Sequence, residues 1–548
     1  MQDTTNAIPE SATTAEIERA LTAGREHHMA GRLSPARAIY DSVLAAEPKN
    51  AEVLHLLGVM AMQTGDPAGA MVYIDRALAV RPDFVKPLNN RGLVLLQLGR
   101  ADEALAVFDR VVELDPQGIA GHKNRAAAAV AAMRHDEAAR SFRRVVEMDP
   151  QALDAMCDLG SVLSSMGRAD EALTVLDRVL AVAPQYPTVH LNRGVVLRAL
   201  HRRDEAIASF ERALALKEDW PEAHFNLGNA LMLAGRNREA EAAFRRAVEL
   251  KPTFLEAYGN LANALHALGR TDEAVAAARR AVEINGRVPF THAGVGMALL
   301  RADDAMGALA AFDAALQAEP GNTGALAGRV MALGEAGERA AMEDLFGFDS
   351  LIRTARFDVP PEFASMDAYT GALAGHILAH PTLRRDPDGN ATRKGRHTGD
   401  LLSEPKGPIA FLERQIRAAV EDYIRALPAG SGHPFAIRRP QDFRLAMWSV
   451  VLEAEGHQVP HIHPTAWLSG VCYAKVPPVV DAGAAERAGW IEFGRPPDEV
   501  GCKAEPSVRF FKPEVGLIVL FPSYVYHRTV PFAADQMRIS IAFDAMPT

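Results

Sequence analysis

Gly516 to Phe543 reads GLIVLFPSYVYHRTVPFAADQMRISIAF. Leu517 to Phe521 is an apolar run of strand length, broken by Pro522. A single His527 follows, then Pro531, then the alternating segment MRISIAF. By the two-residue strand period, Arg538, Ser540 and Ala542 share one face, and Ile539, Ile541 and Phe543 share the other. An Arg turned inward from a strand requires an anion to pair with. His527, eleven residues before Arg538 on the expected neighbouring strand, is placed to hold a metal beside that anion.

Upstream, Gly456 to Pro464 reads GHQVPHIHP. His461 and His463 are two apart, so on a strand both imidazoles fall on one face. Neutral imidazole is a first-choice ligand for iron, zinc or copper. Taken singly, His457, His461 and His463 read as polar turn residues. The pair together with distant His527 and Arg538 points instead to a site.

These residues resemble a known family. HIHPTAWLSGVCY (461–473), KPEVGLIVLFPSYVYHRTVPF (512–532) and RISIAF (538–543) are similar to the iron(II)/2-oxoglutarate-dependent oxygenases, in the bacterial branch with a His-x-His-Pro segment. The resemblance spans about Phe443 to Met546, with a looser lead-in from about Leu351. It implies a double-stranded β-helix, a jelly roll with the metal in its mouth. It also implies that His461, His463 and His527 hold Fe(II), and that Arg538, with Ser540 beside it, binds the far carboxylate of 2-oxoglutarate. The implied reaction is oxidative decarboxylation of 2-oxoglutarate to succinate and CO₂, coupled to hydroxylation of a substrate.

One position departs from the family. Its usual second ligand is an Asp or Glu, and here His463 stands in that place. Three neutral ligands leave the metal one unit more positive, and Glu492 or Asp544 could supply a carboxylate from another strand. The departure keeps two alternatives open. One is a repeat scaffold, a protein-binding adaptor with a catalytically degenerate jelly roll. The other is a three-His iron oxygenase that uses no 2-oxoglutarate, which would leave Arg538 unpaired.

The chain has 548 residues, room for several domains, and a net charge of −10 with no long basic run. That weighs against nucleic acid as a direct ligand. Cys157, Cys472 and Cys502 are too few and scattered for a disulfide framework or a Cys-based zinc site. No apolar run approaches the roughly 20 residues that span a bilayer, and the N-terminal stretch has neither a basic nor an apolar targeting region. The expectation is a cytoplasmic protein, with no membrane partner. Solenoids and jelly rolls both dimerise, so the oligomeric state stays open.

Most of the chain is a repeat. Pro48, Pro82, Pro116, Pro150 and Pro184 are each 34 apart, and the series resumes at Pro252 and Pro320. A small residue stands 24 before each register position, from Gly24 and Gly58 to Gly296, and another 12 before, from Ala36 to Ala308. This is the tetratricopeptide period, in which two helices pack closely at small residues and Pro ends the second. The domain expectation is a flexible tail over 1–14 and an all-α tetratricopeptide solenoid over 15–345, nine repeats and a degenerate cap with a polar outer face. A helical lead-in and linker over 346–442 follows, then an α+β domain built on a double-stranded β-helix over 443–548.

Such solenoids present a groove. Asn90, Asn124, Asp158, Asn192, Asn226 and Asn260 recur at the 34-residue period, with Asn229 and Asn263 close by. Asn carries a donor and an acceptor, so a ladder of it can hold an extended peptide backbone. The pattern is similar to the repeats of protein O-linked N-acetylglucosamine transferases. It implies a protein or peptide partner, although Asn is also simply common at these positions.

In the lead-in, MDAYTGALAGHILAHP (366–381) suggests a short helix and PIAFLERQIRAAVEDYIRAL (408–427) an amphipathic one that braces the jelly roll. TLRRDPDGNATRKGRHTGDLL (382–402) reads as a solvated loop or a lid, the solvated loop being favoured. FRLAMWSVVLEAEG (443–456) opens the barrel, with Trp448 and Trp467 as core or pocket wall.

Overall fold

The 34-residue period becomes a run of helix hairpins. The computed structural model describes residues 13–385, 391–402, 405–427, 432–482 and 486–548, and the chain forms two compact units, 1–218 and 219–548. Among the described residues of the first unit, twelve helices pair as six hairpins, from Thr14–Met29 with Leu33–Ala46 to Pro187–Ala199 with Arg203–Leu216. Thr13 and Glu16 close a capping box at the first helix, while Asn50 and Asp66 accept from the amides of Val53 and Gly69. Gly65, Gly99 and Gly167 make the inter-helix turn at φ 73°, where a side chain is unfavourable. The tail expected over 1–14 falls almost wholly on 1–12, outside the described residues, and Thr13 already caps a helix. A Cβ on Gly92 would stand 2.4 Å from the Phe108 ring, which is why the repeat keeps a small residue there.

The second unit contains three more hairpins, Pro221–Leu233 with Asn237–Leu250, Leu255–Ala267 with Thr271–Asn285, and Pro289–Leu300 with Ala305–Ala318. A shorter pair follows, Thr323–Glu335 with Arg339–Phe346. This pair is not the polar cap expected. Leu326, Ala327, Val330 and Leu333 are buried in the same core as Phe493, Phe521 and Ile541 of the β domain. TGALAGRVMALGE is apolar around most of its circumference, the pattern of a helix covered on several sides. Glu335 Oε1 accepts the backbone N–H groups of Lys503 and Ala504, both at 2.7 Å. The Thr323 hydroxyl donates to the Ala466 carbonyl at 3.3 Å.

The β domain is a curled antiparallel structure of jelly-roll type. Its strands are β1 (Arg353–Arg356), β2 (Arg384–Arg385), β3 (Thr392–His397), β4 (Phe443–Gln458), β5 (Leu468–Lys475), β6 (Ile491–Phe493), β7 (Arg509–Phe511), β8 (Leu517–Pro522), β9 (His527–Thr529) and β10 (Arg538–Pro547). A seven-stranded sheet runs β1-β8-β5-β10-β4-β3-β2, and a three-stranded sheet runs β7-β6-β9. The helices Met366–Leu378 and Ile409–Ala426 cover the outer face with Tyr369, Leu373, Leu412, Ile416 and Val420. Phe543 faces that side too, and its ring approaches so closely that a Cβ on Gly470 would lie 2.1 Å from it.

Two expectations about the lead-in are corrected. The stretch 346–442 is not only helix and linker, because β1 pairs with β8 and β3 with β4. The stretch 382–402 is not a solvated loop in its described parts, because β2 and β3 extend the large sheet at its edge. A short, charged strand is what blunts a sheet edge, and by composition it looks like a loop. No helix among the described residues is long and apolar enough to cross a membrane.

Candidate metal centre

The β10 register decides which side chains meet. Ser540 lies opposite Tyr473 and Asp544 opposite Ser469 on β5, while Ala542 lies opposite Trp448 on β4. Arg538, Ser540, Ala542 and Asp544 therefore line one face, toward the small sheet. His461 and His527 form a bridged pair, exchanging backbone hydrogen bonds of 3.1 and 3.0 Å. The His463 amide donates to the Ser523 carbonyl at 3.1 Å, which fixes the third imidazole on the same rim.

His461, His463 and His527 offer ligand atoms that all lie within 4.8 Å of one another. Each Nδ1 faces an oxygen acceptor. His461 Nδ1 lies 2.9 Å from the Val459 carbonyl, His527 Nδ1 3.2 Å from the Val525 carbonyl, and His463 Nδ1 2.6 Å from Asp544 Oδ1. Donation from Nδ1 leaves the Nε2 lone pairs for a metal. Burial, reinforced by His463, pushes His461 down to about 4. Burial with both neighbouring imidazoles pushes His527 well below its usual range. Both are therefore neutral at pH 7, the form that ligates.

Neither carboxylate weighed from the sequence joins the trio. Glu492 is fully buried and paired with Arg495 at 2.7 Å and Arg528 at 2.5 Å. Asp544 stands one layer behind, accepting from His463 and from the Ser469 hydroxyl at 2.7 Å. Trp448 forms a wall of the site, its ring 5.5 Å from His463, whereas Trp467 is core, stacked on Phe435 at 4.5 Å. His457 lies outside the cluster, its Nδ1 against the Glu455 carbonyl.

Arg538 is among the largest fully buried side chains. Its Nη1 reaches Thr529 Oγ1 at 3.5 Å, and its guanidinium lies 5.0 Å from the Tyr473 ring centre. Its Nε and the Tyr473 hydroxyl have no hydrogen-bond partner among the described residues. Desolvation pulls the guanidinium below its usual range. Thr529 is two residues from His527 on β9, about 7 Å along a strand. The Ser540 hydroxyl donates to the Val450 carbonyl at 3.4 Å.

The donor set fits both groups that the sequence suggests. Three imidazoles with Nδ1 engaged suit a divalent iron ion. A fully buried guanidinium with no carboxylate partner among the described residues, beside the Tyr473 phenol, suits a small dianion.

The residues expected to line a groove are less free than a bare ladder implies. Asn90 Nδ2 lies 2.9 Å from His55 Nε2, Asn124 donates to Asn89 at 2.9 Å, and Asn192 donates to the Cys157 carbonyl at 3.2 Å. Each of these ties one repeat to the one before. Asn226 donates to the Glu222 carbonyl at 2.8 Å and Asn260 to Asn229 at 2.6 Å. Asp158 is exposed as a residue, and its carboxyl is raised by partial burial and by Asp154.

Comparison with known proteins agrees with this architecture. The family described as "Putative 2OG-Fe(II) oxygenase" matches residues 446–544. Tetratricopeptide-repeat families match 72–119, 191–254 and 225–289, and also 27–86 and 129–191. No curated protein matches the chain. A solved thermophilic tetratricopeptide protein of Thermus thermophilus is 30% identical over 33% of this chain and 98% of its own, with a TM-score of 0.30. A tetratricopeptide protein of Parabacteroides merdae is 16% identical over 45% of this chain and 98% of its own, with a TM-score of 0.40. The chain belongs to the tetratricopeptide-repeat proteins, and a 2OG-Fe(II) oxygenase domain follows its repeats.

Proposed function

We propose that the protein is an Fe(II)/2-oxoglutarate-dependent dioxygenase that hydroxylates a protein or peptide presented by its repeats. The observation that carries the reading is the pairing of two unmet needs in one barrel. Three imidazoles offer ligand atoms within 4.8 Å of one another, and buried Arg538 has no anionic partner among the described residues. The second need favours 2-oxoglutarate over a three-His oxygenase without it. An unpaired buried guanidinium costs several kcal/mol, roughly, unless a ligand satisfies it.

His461, His463 and His527 would hold the iron, and Arg538 with the Tyr473 hydroxyl would hold the distal carboxylate of 2-oxoglutarate. When bound, this pair supplies the oxidising chemistry: O₂ converts 2-oxoglutarate to succinate and CO₂, and one oxygen atom enters a substrate C–H bond. The residues of this chain bind, orient and shield. Asp544 and Ser469 keep the His463 tautomer fixed, and Phe521 and Phe493 pack on His527 with ring centres 4.6 and 6.2 Å away. Those rings exclude water from one side of the site. A peptide substrate is supported by the repeats, whose inner helices carry Asn226 and Asn260 in the same unit as the barrel.

The test is titration of the apoprotein with Fe(II) and then 2-oxoglutarate without oxygen. A weak visible charge-transfer band is expected, and succinate should form once air is admitted. A protein loaded with both that shows no band and makes no succinate would instead be a scaffold with an inert barrel.

A further inference from the structure

A cavity of ≈ 460 Å³ lies behind the metal ligands, within the second unit. One wall is solenoid: Asn260, Asn263 and His266 from Leu255–Ala267, Phe290 and Met297 from Pro289–Leu300, and Arg301 at that helix's end. The opposite wall is barrel, Ile462 and Tyr526. Ile462 stands between His461 and His463, and Tyr526 directly precedes His527. Both side chains line this cavity, while the imidazoles beside them belong to the three-His cluster. The repeat surface thus ends against the back of the ligand-bearing segments.

The cavity is apolar with one unanswered charge. Phe290 is 44% exposed, unusual for a ring of that size, and Met297, Met331 and Ile462 complete an oily lining. Arg301 Nη1 donates to an amide oxygen, that of Asn263, at 3.1 Å. Among the described residues, Arg301 Nε and His266 Nδ1 are buried without a hydrogen-bond partner. No carboxylate among the described residues pairs with Arg301, although Asp303, two residues on, pairs with Lys503 at 2.6 Å. Glu256 lies at the exposed rim. Arg246 and Arg270, which cross between neighbouring repeats, meet acids instead, Asp219 and Glu241, both at 2.7 Å.

We propose that this cavity anchors a peptide through one carboxylate on Arg301, with the neighbouring apolar side chain of the peptide on Phe290, Ile462 and Tyr526. The proposal rests on the reading that the repeats present a polypeptide. It adds that the polypeptide is recognised by an acidic side chain or a free C-terminal carboxylate, held behind the metal and not in its mouth. Asn260 and Asn263 offer amides to the backbone on either side of that anion.

The probe is a display library of random nonapeptides selected on the full-length protein without iron or 2-oxoglutarate. One arm has free C-termini and the other has amidated ones. The expected result is enrichment of Asp or Glu beside an apolar residue in both arms, if a side chain is read, or enrichment only in the free-carboxylate arm, if the C-terminus is read. Affinity of a selected peptide should fall at least about tenfold in Arg301→Gln and recover in large part in Arg301→Lys. Selection without an acidic or C-terminal preference, no peptide selected at all, or equal affinity for Arg301→Gln would overturn the proposal. Failure of the oxygenase reading is separate, because it shows in the Fe(II) titration, which contains no peptide.

Discussion

His463 Nδ1 donates to Asp544 Oδ1 across 2.6 Å, from residues 81 apart in sequence. The carboxylate of Asp544 thus stands one atom layer behind the three-imidazole cluster. Through the imidazole ring it holds the tautomer that leaves Nε2 without a proton.

Asp544→Asn should therefore weaken Fe(II) binding by about 10- to 100-fold while leaving the fold intact. Anaerobic Fe(II) titration followed by near-UV circular dichroism reads the two separately. Unchanged iron affinity would mean that Asp544 only fills space.

His463→Asp is expected to behave badly alone, although it restores the family's usual ligand type. It would set two carboxylates side by side, and like charges at such range raise the energy of both ionised forms. The double variant His463→Asp, Asp544→Asn should hold iron more tightly than His463→Asp alone. A double-mutant cycle on the Fe(II) dissociation constant measures that coupling. A zero coupling would show that Asp544 does not sense residue 463.

How far the sequence announces these features differs by scale. The repeats are legible because each hairpin is local: Gly92 meets Phe108 only sixteen residues away, and the pattern recurs at 34. Arg538 is legible from strand parity and the three imidazoles from family resemblance, but the strand expected to carry His461 and His463 is only an isolated bridge at His461. Asp544 shares the parity of Arg538, yet its contact with His463 depends on a β10–β5 register that no local pattern states. Strands β1 and β3 hide for the same reason, since Arg353 pairs with Leu520 and Thr392 with Gln458, both far along the chain. Arg301 reads as one more repeat arginine until the barrel closes over it.

Arg538→Met should raise the thermal stability of the ligand-free protein, because it replaces an unpaired buried charge with an apolar side chain of similar length. The same change should abolish stabilisation by 2-oxoglutarate. Saturating ligand at 100 times its dissociation constant contributes about 2.7 kcal/mol to the wild type. Thermal unfolding of both proteins with and without Fe(II) and 2-oxoglutarate makes the comparison. A variant still stabilised by 2-oxoglutarate would place its carboxylate elsewhere.

His55 gives the first unit a pH dependence. It is buried in Ala51–Gln63, with Nε2 2.9 Å from the amide nitrogen of Asn90 and its ring 5.5 Å from Phe84. Asn90 Nδ2 can only donate, so His55 must accept and stay neutral. Burial, then Lys86, lower its pKa from 6.5 to about 4. The unfolded chain thus binds the proton more readily. The stabilisation is complete above about 6.5 and is lost as pH falls toward about 4. Amide exchange in Ala51–Gln63, corrected for intrinsic rates, should show protection falling between about pH 7 and about pH 5. His55→Leu should flatten that slope, and an unaltered slope would assign it to another group.

The last repeat helix belongs energetically to the barrel. Leu326, Val330 and Leu333 share one buried cluster with Phe493, Phe521 and Ile541, and Tyr524 donates its hydroxyl to the Leu345 carbonyl at 2.5 Å. A fragment cut at residue 346 would expose that face of the barrel core and leave the Lys503 and Ala504 amides without Glu335. It should aggregate or bind a hydrophobic dye, whereas 219–548 should unfold cooperatively as a soluble unit. Val330→Ala tests the same claim inside the intact chain. Removing two buried methyl groups' worth of packing should cost about 1–3 kcal/mol. Because the core is shared, the loss should appear in amide exchange of β5 and β8 as well as in the helix Thr323–Glu335. A loss confined to the helix would mean that the repeats and the barrel are separate cooperative units.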